Sequence, residues 1–335
     1  MEKVLLGKTG LQVSRMGLGG IPVQRITPEK TKELLRAMAE KGVNFIDTAR
    51  GYTVSEEYLG QALEGIRDQF IIATKSMART REAMAADIET SLHNLRTDYI
   101  DLYQVHNPSM EQLDMVMGPD GALEALEEAK KAGKIGHLGL TAHSVQVFER
   151  ALELPWVETI MFPYNIVENQ GENLIEKCRE RQIGFICMKP LAGGAIEDGR
   201  LALRFICSNS NVTVVIPGMA DEKELEQNCQ AVADETPFTA EEKRQAEQVR
   251  QELGNNFCRR CNYCAPCTVG IQIPNAFLFE GYLKRYGLAD WARSRYSTLP
   301  VKASACVECG ECETRCPYQL PIREMLKRCA ESFGE

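Results

Sequence analysis

Residues 42–76 read GVNFIDTARGYTVSEEYLGQALEGIRDQFIIATKS, and this stretch carries the pattern that decides the fold. It contains two short apolar runs, Asn44–Asp47 and Phe70–Thr74, separated by 22 residues of mixed polarity. Asp47 ends the first run, and Lys75 follows the second. Short apolar runs are typical of buried parallel strands, and the intervening length suits a crossover helix. The stretch therefore predicts one strand–helix–strand unit of an α/β fold.

The same alternation extends over roughly the first 240 residues, which is the usual size of an eightfold barrel. The candidate strands are Ser14–Gly17, Asn44–Asp47, Phe70–Thr74, Ile100–Tyr103, His137–Thr141, Thr159–Phe162, Gly184–Met188 and Val212–Ile216. Between them lie amphipathic segments such as Pro28–Glu40, where proline at the first position is typical of a helix start. Eight such units predict a (β/α)8 TIM barrel. The alternative is a doubly wound open sheet, but Gly17-Leu18-Gly19-Gly20 lacks its usual G-x-G-x-x-G spacing.

Composition narrows the class of protein. The chain has 335 residues, 44% of them hydrophobic, which is enough for a large core. Its net charge of -8 disfavours a protein that coats nucleic acid. No apolar run approaches the ~20 residues of a membrane span, and the first residues lack the apolar core of a signal peptide. We expect a cytoplasmic protein without nucleic-acid or membrane partners.

Cysteines and charge both divide the chain near residue 250. Eight of the 13 cysteines fall in two tight groups beyond residue 257. Residues 255–335 carry a net charge of +3, and the rest of the chain carries −11. We therefore predict a barrel domain over residues 1–250 and a small cysteine-rich domain over residues 251–335. The five other cysteines are interpreted as ordinary packing residues.

Three ionisable residues stand where three successive predicted strands end. Asp47, Lys75 and His106 are separated by 28 and 31 residues, each close to one strand–helix unit. Tyr52 lies five residues after Asp47, within reach of the same end of the barrel. Chemistry in such barrels is found at the C-terminal ends of the strands. Each residue alone also fits a structural role, but the four together predict a common site.

This set of side chains suits proton donation to a carbonyl oxygen. A phenol with a pKa of about 10 is a poor acid at neutral pH. A neighbouring ammonium lowers that pKa, and a carboxylate holds the ammonium in place. A neutral imidazole can orient the carbonyl oxygen. General acid help of this kind contributes ~10²–10⁴-fold when a hydride is delivered to a carbonyl.

Five motifs follow one another along the first part of the chain. They are Asp47-Thr48-Ala49-Arg50-Gly51-Tyr52, Ser55-Glu56-Glu57-Tyr58-Leu59-Gly60, Ala73-Thr74-Lys75, Asp98-Tyr99-Ile100-Asp101-Leu102-Tyr103-Gln104-Val105-His106 and Ile216-Pro217-Gly218. On these motifs the sequence from about Leu6 to Asn228 resembles the aldo-keto reductases. The resemblance implies a (β/α)8 barrel, a catalytic tetrad of Asp47, Tyr52, Lys75 and His106, and a bound NAD(P)H. It also implies interconversion of a small carbonyl compound and its alcohol.

The resemblance also assigns positions to the nicotinamide cofactor. These positions are Thr141, Met161, Met188, Gly218 and Asn228. Several depart from the family pattern, because Ala142 replaces an amide and the two methionines replace a glutamine and a stacking aromatic residue. Glu224 stands where many members hold the 2′-phosphate, and it would repel one. We therefore expect a weakened nicotinamide site that takes NADH at least as well as NADPH.

The two cysteine groups have the spacing of iron–sulfur ligands. The second, Cys306-x2-Cys309-x2-Cys312-x3-Cys316-Pro317, matches the bacterial ferredoxin run, and eight ligands suffice for two [4Fe–4S] clusters. The first is Cys258-x2-Cys261-x2-Cys264-x2-Cys267. By the cross-ligation of two-cluster ferredoxins, one cluster takes Cys258, Cys261, Cys264 and Cys316, and the other takes Cys267, Cys306, Cys309 and Cys312.

The alternative for these cysteines is zinc, which favours four thiolates from paired C-x2-C arms. The linker between the two groups reads as a helix over Asn275–Tyr286, which resembles helical dicluster ferredoxin modules. The second domain is therefore predicted to be small, mainly helical and ferredoxin-like. Its excess of basic residues would compensate the negative charge of the clusters.

The sequence thus predicts an oxidoreductase of aldo-keto reductase type, fused to a two-cluster electron-transfer module. The predicted partners are a small carbonyl substrate and a redox protein. A second hypothesis is a ferredoxin-type electron-transfer protein whose barrel docks partners or takes single electrons from the clusters. A third makes the clusters only structural. Hydride transfer moves two electrons and a cluster passes one, and the sequence shows no flavin motif that would couple the two.

Overall fold

The computed structural model describes every residue from Met1 to Glu335, and the chain divides into two compact units. The first unit comprises Met1–Asn165, Asn169–Pro190 and Asp198–Phe238. The second comprises Thr239–Glu335 together with the short segments Ile166–Glu168 and Leu191–Glu197. The boundary expected at residue 250 lies within a helix, because residues 240–254 form one continuous helical element.

Ten strands form the sheets of the first unit. They are β1 (Lys3–Leu5), β2 (Gln12–Ser14), β3 (Gly17–Gly19), β4 (Phe45–Asp47), β5 (Ile71–Ser76), β6 (Ile100–His106), β7 (Ile135–Thr141), β8 (Thr159–Pro163), β9 (Gly184–Met188) and β10 (Val214–Val215). Strands β3 to β10 pair in parallel and in chain order. Parallel bridges from Met16 to Val215 and from Gly19 to Gly218 join the first and last of them. The predicted barrel is confirmed, and the open-sheet alternative is wrong.

Fourteen helices complete the chain. They are α1 (Pro28–Glu40), α2 (Ser55–Ala62), α3 (Arg81–Asn94), α4 (Met110–Met117), α5 (Ala122–Lys131), α6 (Val145–Leu152), α7 (Glu172–Glu180), α8 (Gly199–Cys207), α9 (Glu222–Ala233), α10 (Ala240–Gly254), α11 (Ile273–Lys284), α12 (Ala289–Ser297), α13 (Glu311–Thr314) and α14 (Ile322–Phe333). Helix α1 has the predicted bounds, because the Thr27 hydroxyl accepts a hydrogen bond from the Lys30 amide and Pro28 occupies the first turn.

The beginning of the chain differs from the expected strand at Ser14–Gly17. Strand β2 ends at Ser14 and pairs with β1 in an antiparallel hairpin, and the first barrel strand starts only at Gly17. Leu6 and Val13 of this hairpin region are fully buried among inward-facing barrel residues such as Phe45 and Ile186. The sequence pattern of alternating strands and helices does not predict that this hairpin region closes one end of the barrel with apolar side chains.

The barrel core forms two layers. Inward-facing side chains of the strands pack with one another in one cluster, and a larger cluster fills the space between strands and helices. Amphipathic helices such as α1 supply this outer layer, with Leu34, Leu35 and Met38 almost completely buried. The strands are therefore covered on both faces, as expected for a parallel barrel.

The second unit is built from helices α10 to α14 and the loops between them. Its apolar core is separate from the barrel core and includes Phe277, Phe279, Tyr282 and Leu326. Tyr282 stacks on Trp291 with a ring-centroid distance of 4.4 Å. The predicted helix at Asn275–Tyr286 is observed as α11, two residues earlier at each end. No helix in either unit is long and apolar enough to cross a membrane.

Candidate active site and cluster sites

Asp47 and Lys75 form a buried ion pair at the C-terminal ends of two neighbouring strands. The Lys75 ammonium donates to Asp47 Oδ2 at 2.5 Å and to the Thr48 carbonyl at 2.8 Å. The side chains are 3% and 1% exposed, so neither charge is solvated by bulk water. The parallel pairing of β4 with β5 places the two residues on adjacent strands and brings these side chains together.

Burial changes the proton affinity of both members of the pair. Removal from water lowers the pKa of Lys75 and raises the pKa of Asp47, while each charge opposes the shift of the other. A charged pair in this setting requires both partners, because either charge alone would be buried without compensation. The ammonium is therefore held in place by the carboxylate, as the sequence predicted.

Tyr52 and His106 complete the group that the sequence predicted. The Lys75 ammonium lies 4.8 Å from the centre of the Tyr52 ring. The Tyr52 and His106 rings meet edge to face with centroids 6.3 Å apart. Both are partly exposed, whereas the ion pair is buried. The structure thus brings together all four residues, with the two groups suited to contact a substrate nearest to solvent.

Gln104 is a further member of this site that the sequence reading missed. Its side-chain nitrogen donates to Asp47 Oδ1 at 3.2 Å, and the residue is fully buried. Gln104 therefore fixes the carboxylate oxygen that Lys75 does not use. The signal was present in the sequence, because residues two apart on a strand share a face and Gln104 precedes His106 by two.

Arg50 links the turn that carries Tyr52 to the buried carboxylate of Glu56. Its guanidinium donates to Glu56 Oε2 at 2.5 Å, and its main-chain amide donates to the Lys75 carbonyl at 3.0 Å. Glu56 is 1% exposed and also accepts from the hydroxyls of Thr74 at 2.7 Å and Ser91 at 2.8 Å. Because Thr74 adjoins Lys75, this network ties the Tyr52 turn to the strand that bears the ammonium.

Three of the predicted nicotinamide positions lie at or near the ends of strands. Thr141 ends β7 and is buried, and its Oγ1 accepts from the Asn107 amide at 3.0 Å, which leaves its hydroxyl proton able to donate. Met161 lies in β8 with 1% exposure and packs in the barrel core. Met188 ends β9 and is partly exposed. Of the three, Thr141 alone presents a hydrogen-bonding side chain.

The two remaining predicted cofactor positions lie near β10 and on α9. Gly218 forms a parallel β-bridge with Gly19. A Cβ atom at Gly218 would lie 2.7 Å from the Pro22 side chain, so glycine is needed there for close packing. Asn228 lies on α9 and is partly exposed. At the start of α9 the Glu224 carboxylate accepts from the Ala220 amide at 2.7 Å. The Glu224 carboxylate therefore takes the hydrogen bond of an amide that could otherwise bind an anionic ligand.

Four cysteines line one cavity in the second unit. They are Cys258, Cys261, Cys264 and Cys316. Apart from Arg259 the neighbouring walls are mostly apolar or aromatic, with Phe277 and Tyr318 among them. These are the four cysteines that cross-ligation assigns to one cluster.

The other four cysteines line a second cavity. They are Cys267, Cys306, Cys309 and Cys312. Ile273 lines both cavities, so the two sites are neighbours. Cys309 is exposed, and its sulfur lies 3.3 Å from the Thr268 hydroxyl.

Equivalent turns shape the two cysteine loops. Arg260 and Asn262 in the first loop have φ values of 58° and 67°, and Glu308 and Gly310 in the second have 56° and 79°. The positive φ values fall two and four residues after the first cysteine of each group. Such left-handed residues turn the chain sharply, so closely spaced cysteines can face the same cavity.

The donor set fits iron–sulfur clusters better than zinc. Two separate groups of four cysteines line two cavities and supply eight thiolates in all. Cysteines that stand around a cavity rather than converging on one point suit a multi-iron cluster. The remaining cysteines lie in the packed cores or beside them, and Cys178, Cys187 and Cys329 are buried.

Comparison with known proteins defines the class. The sequence profile of the aldo/keto reductase family matches residues 15–200, and that of a 4Fe-4S dicluster domain matches residues 257–321. The first match covers more than half of the chain, which therefore belongs to the aldo/keto reductase family. It is an oxidoreductase of that family fused to an iron–sulfur module.

Individual relatives agree with this assignment. Aldo-keto reductase YhdN of Bacillus subtilis is 33% identical over 223 residues, which cover 59% of this chain and 66% of that protein. L-galactose dehydrogenase of Arabidopsis thaliana is 25% identical over 285 residues, which cover 70% of this chain and 89% of that protein. The holo structure of an aldo-keto reductase from Bacillus halodurans has a TM-score of 0.64 and 26% identity, and the match covers 74% of this chain and 96% of that one.

Replacing Glu56 with Gln is expected to destabilise the barrel by about 1.5–3 kcal/mol, because Arg50 loses a charged hydrogen bond in a mostly buried setting. Glu57→Gln is the matched control, since Glu57 is exposed on the same helix and its replacement should change stability by less than about 0.5 kcal/mol. Denaturant unfolding followed by Trp156 fluorescence in a Trp291→Phe background reports the barrel alone. Equal stability of the two variants would contradict the role assigned to Glu56.

Proposed function

We propose that the barrel reduces a small aldehyde or ketone with NAD(P)H at the Tyr52 site. The observation that carries this proposal is the buried Lys75–Asp47 pair, with its ammonium 4.8 Å from the centre of the Tyr52 ring. A fixed positive charge beside a partly exposed phenol favours loss of the phenol proton. Such an arrangement suits donation of a proton to a carbonyl oxygen.

Each residue of the tetrad then has a definite task. The Tyr52 hydroxyl donates its proton to the carbonyl oxygen and regains one from water. Lys75 favours the resulting phenolate, Asp47 and Gln104 hold Lys75 in position, and His106 orients the carbonyl oxygen. Bound NAD(P)H supplies the hydride, which carries two electrons to the carbonyl carbon. The product is the alcohol, with one hydrogen on carbon from the cofactor and one on oxygen from Tyr52.

We propose that the eight clustered cysteines hold two [4Fe–4S] clusters. Two cavities, each lined by four cysteines, support both the count and the cross-ligated grouping. Such clusters pass one electron at a time, so a redox protein is the partner we propose for the second unit. We propose a cytoplasmic location, because cysteines that serve as metal ligands must stay unpaired, and a reducing compartment keeps them so.

A second candidate function is electron transfer with little nicotinamide chemistry. The observation that favours it is Met161, whose buried thioether stands where the family resemblance places an amide. Of the three strand-end positions Thr141, Met161 and Met188, only Thr141 has a side chain that forms hydrogen bonds. In this reading the barrel would dock a partner or take single electrons from the clusters.

Tyr52→Phe is expected to reduce the rate of carbonyl reduction at least ~10²-fold, because the proton donor is lost. Tyr58→Phe is the matched control, since Tyr58 packs against the barrel core away from the tetrad. The measurement is nicotinamide oxidation with a panel of aldehydes and ketones, with iron content checked in each variant. Full activity of Tyr52→Phe alongside intact clusters would favour the electron-transfer function instead.

We also propose that NADH binds at least as tightly as NADPH. Asp221 caps α9, and Glu222 and Glu224 lie in its first turn, so three carboxylates stand at the start of this helix. The Glu224 carboxylate also accepts a hydrogen bond from the Ala220 amide. A 2′-phosphate near these groups would meet like charge, although the helix N-terminus itself attracts anions.

Glu224→Ser is expected to tighten NADPH binding by about tenfold and leave NADH binding within about twofold, because one repelling charge is removed. Glu226→Ser, two residues further along α9 and paired with Lys41, is the control. Fluorescence titration with both cofactors gives the dissociation constants. Much tighter NADPH binding by the unaltered protein would refute the proposal.

A further inference from the structure

We infer that Arg259, Arg260 and Glu168 set the reduction potential of the cluster at Cys258, Cys261, Cys264 and Cys316, and raise it above that of the other cluster. The inference rests on the proposal that the two cavities hold [4Fe–4S] clusters. It concerns three charged residues that are not ligands. Their effect would give the two clusters different affinities for a single electron.

Arg259 is a buried cation in the wall of the first cavity. The residue is 7% exposed, and its guanidinium lies 3.9 Å from the centre of the Tyr318 ring. It donates to the main-chain carbonyls of Val167 at 3.1 Å, Gly254 at 3.1 Å and Phe257 at 3.3 Å. Carbonyl dipoles hold the guanidinium but do not cancel its charge.

Arg260 is the second buried cation at this site, and it precedes the ligand Cys261. Its guanidinium donates to Glu168 Oε1 at 2.6 Å, and the two side chains are 10% and 0% exposed. Glu168 therefore balances one of the two guanidinium charges. The three residues together leave about one uncompensated positive charge in the low-dielectric surroundings of the first cavity.

The second cavity has a different charge environment. Glu311, Arg315 and Arg323 line it, and Arg323 is paired with Glu313 at 2.9 Å. Arg323 is 46% exposed, and Glu308 and Glu311 are exposed as well. These charges include three acids and two bases, and water screens them. No buried, uncompensated cation comparable to Arg259 lies among the residues of this cavity.

The charge of the cluster decides the sign of the effect. Four thiolates give a [4Fe–4S]²⁺ site a net charge of about −2, and uptake of one electron makes it about −3. A nearby cation stabilises the more negative form and raises the potential. When a donor protein gives up one electron, that electron therefore reduces the cluster beside Arg259 and Arg260 in preference to the other cluster. The donor is oxidised by one electron.

The test is an anaerobic redox titration of the full-length protein, followed by electron paramagnetic resonance. The unaltered protein should show two one-electron steps. Arg259→Gln should shift the equilibrium of the step at the higher potential at least tenfold toward the oxidised cluster. For one electron this corresponds to a potential lower by about 59 mV. The lower step should not move. Arg293→Gln, an exposed arginine on α12 that lines neither cavity, should leave both steps unchanged.

Two further variants separate charge from folding. Arg259→Lys retains the cation and should keep the upper step within about twofold of its original equilibrium. Glu168→Gln removes the balancing anion and should shift the same step in the opposite direction to Arg259→Gln. A defect in folding would not produce shifts of opposite sign at one step.

Iron content distinguishes failure of this inference from failure of the proposed clusters. Fewer than about eight irons per chain in the reconstituted protein would overturn the two-cluster proposal itself. Eight irons with no shift in Arg259→Gln, a shift of the lower step, or shifts of equal sign in Arg259→Gln and Glu168→Gln would overturn the inference alone.

Discussion

The buried pair of Lys75 and Asp47 is the interaction on which the barrel site depends. Two charges have left water there, and only their mutual contact and the hydrogen bonds from Lys75 to Thr48 and from Gln104 to Asp47 compensate that loss. The parallel barrel makes the pair possible, because neighbouring strands deliver both residues to one end. The turn after Asp47 then presents Tyr52 beside the ammonium. The same contact that constrains the fold thus creates the chemistry.

The chemistry that we propose for the second unit differs from that of the barrel in how electrons move. A hydride carries two electrons at once, whereas each cysteine-lined cavity suits a centre that accepts one. The chain compensates the charge of such centres locally, because residues 255–335 carry a net +3 although the whole protein carries −8. Part of that positive charge is buried at Arg259 and Arg260 rather than spread over the surface. One polypeptide therefore combines an aldo/keto reductase barrel with an iron–sulfur module, and we propose that the barrel donates protons and that buried arginines tune the module.

The strand–helix alternation predicted the barrel and most of its strands, and strand-end spacing predicted which residues meet at the tetrad. Three features needed the structure. The N-terminal hairpin plugs the barrel through Leu6 and Val13, and no periodic pattern marks such a plug. The contact from Arg50 to Glu56 depends on how a turn packs against a helix. The pairing of Arg260 with Glu168 joins residues 92 positions apart, which local patterns do not connect.

The most direct test follows the fate of hydrogen during carbonyl reduction. The protein is supplied with nicotinamide carrying deuterium at both C4 positions, in ordinary water, with an aldehyde or ketone that it reduces. Direct transfer of the hydride from the cofactor predicts one deuterium on the carbon of each alcohol product. Product whose carbon carries hydrogen from water would contradict it. That result would mean that single electrons and solvent protons, rather than a hydride, reach the substrate.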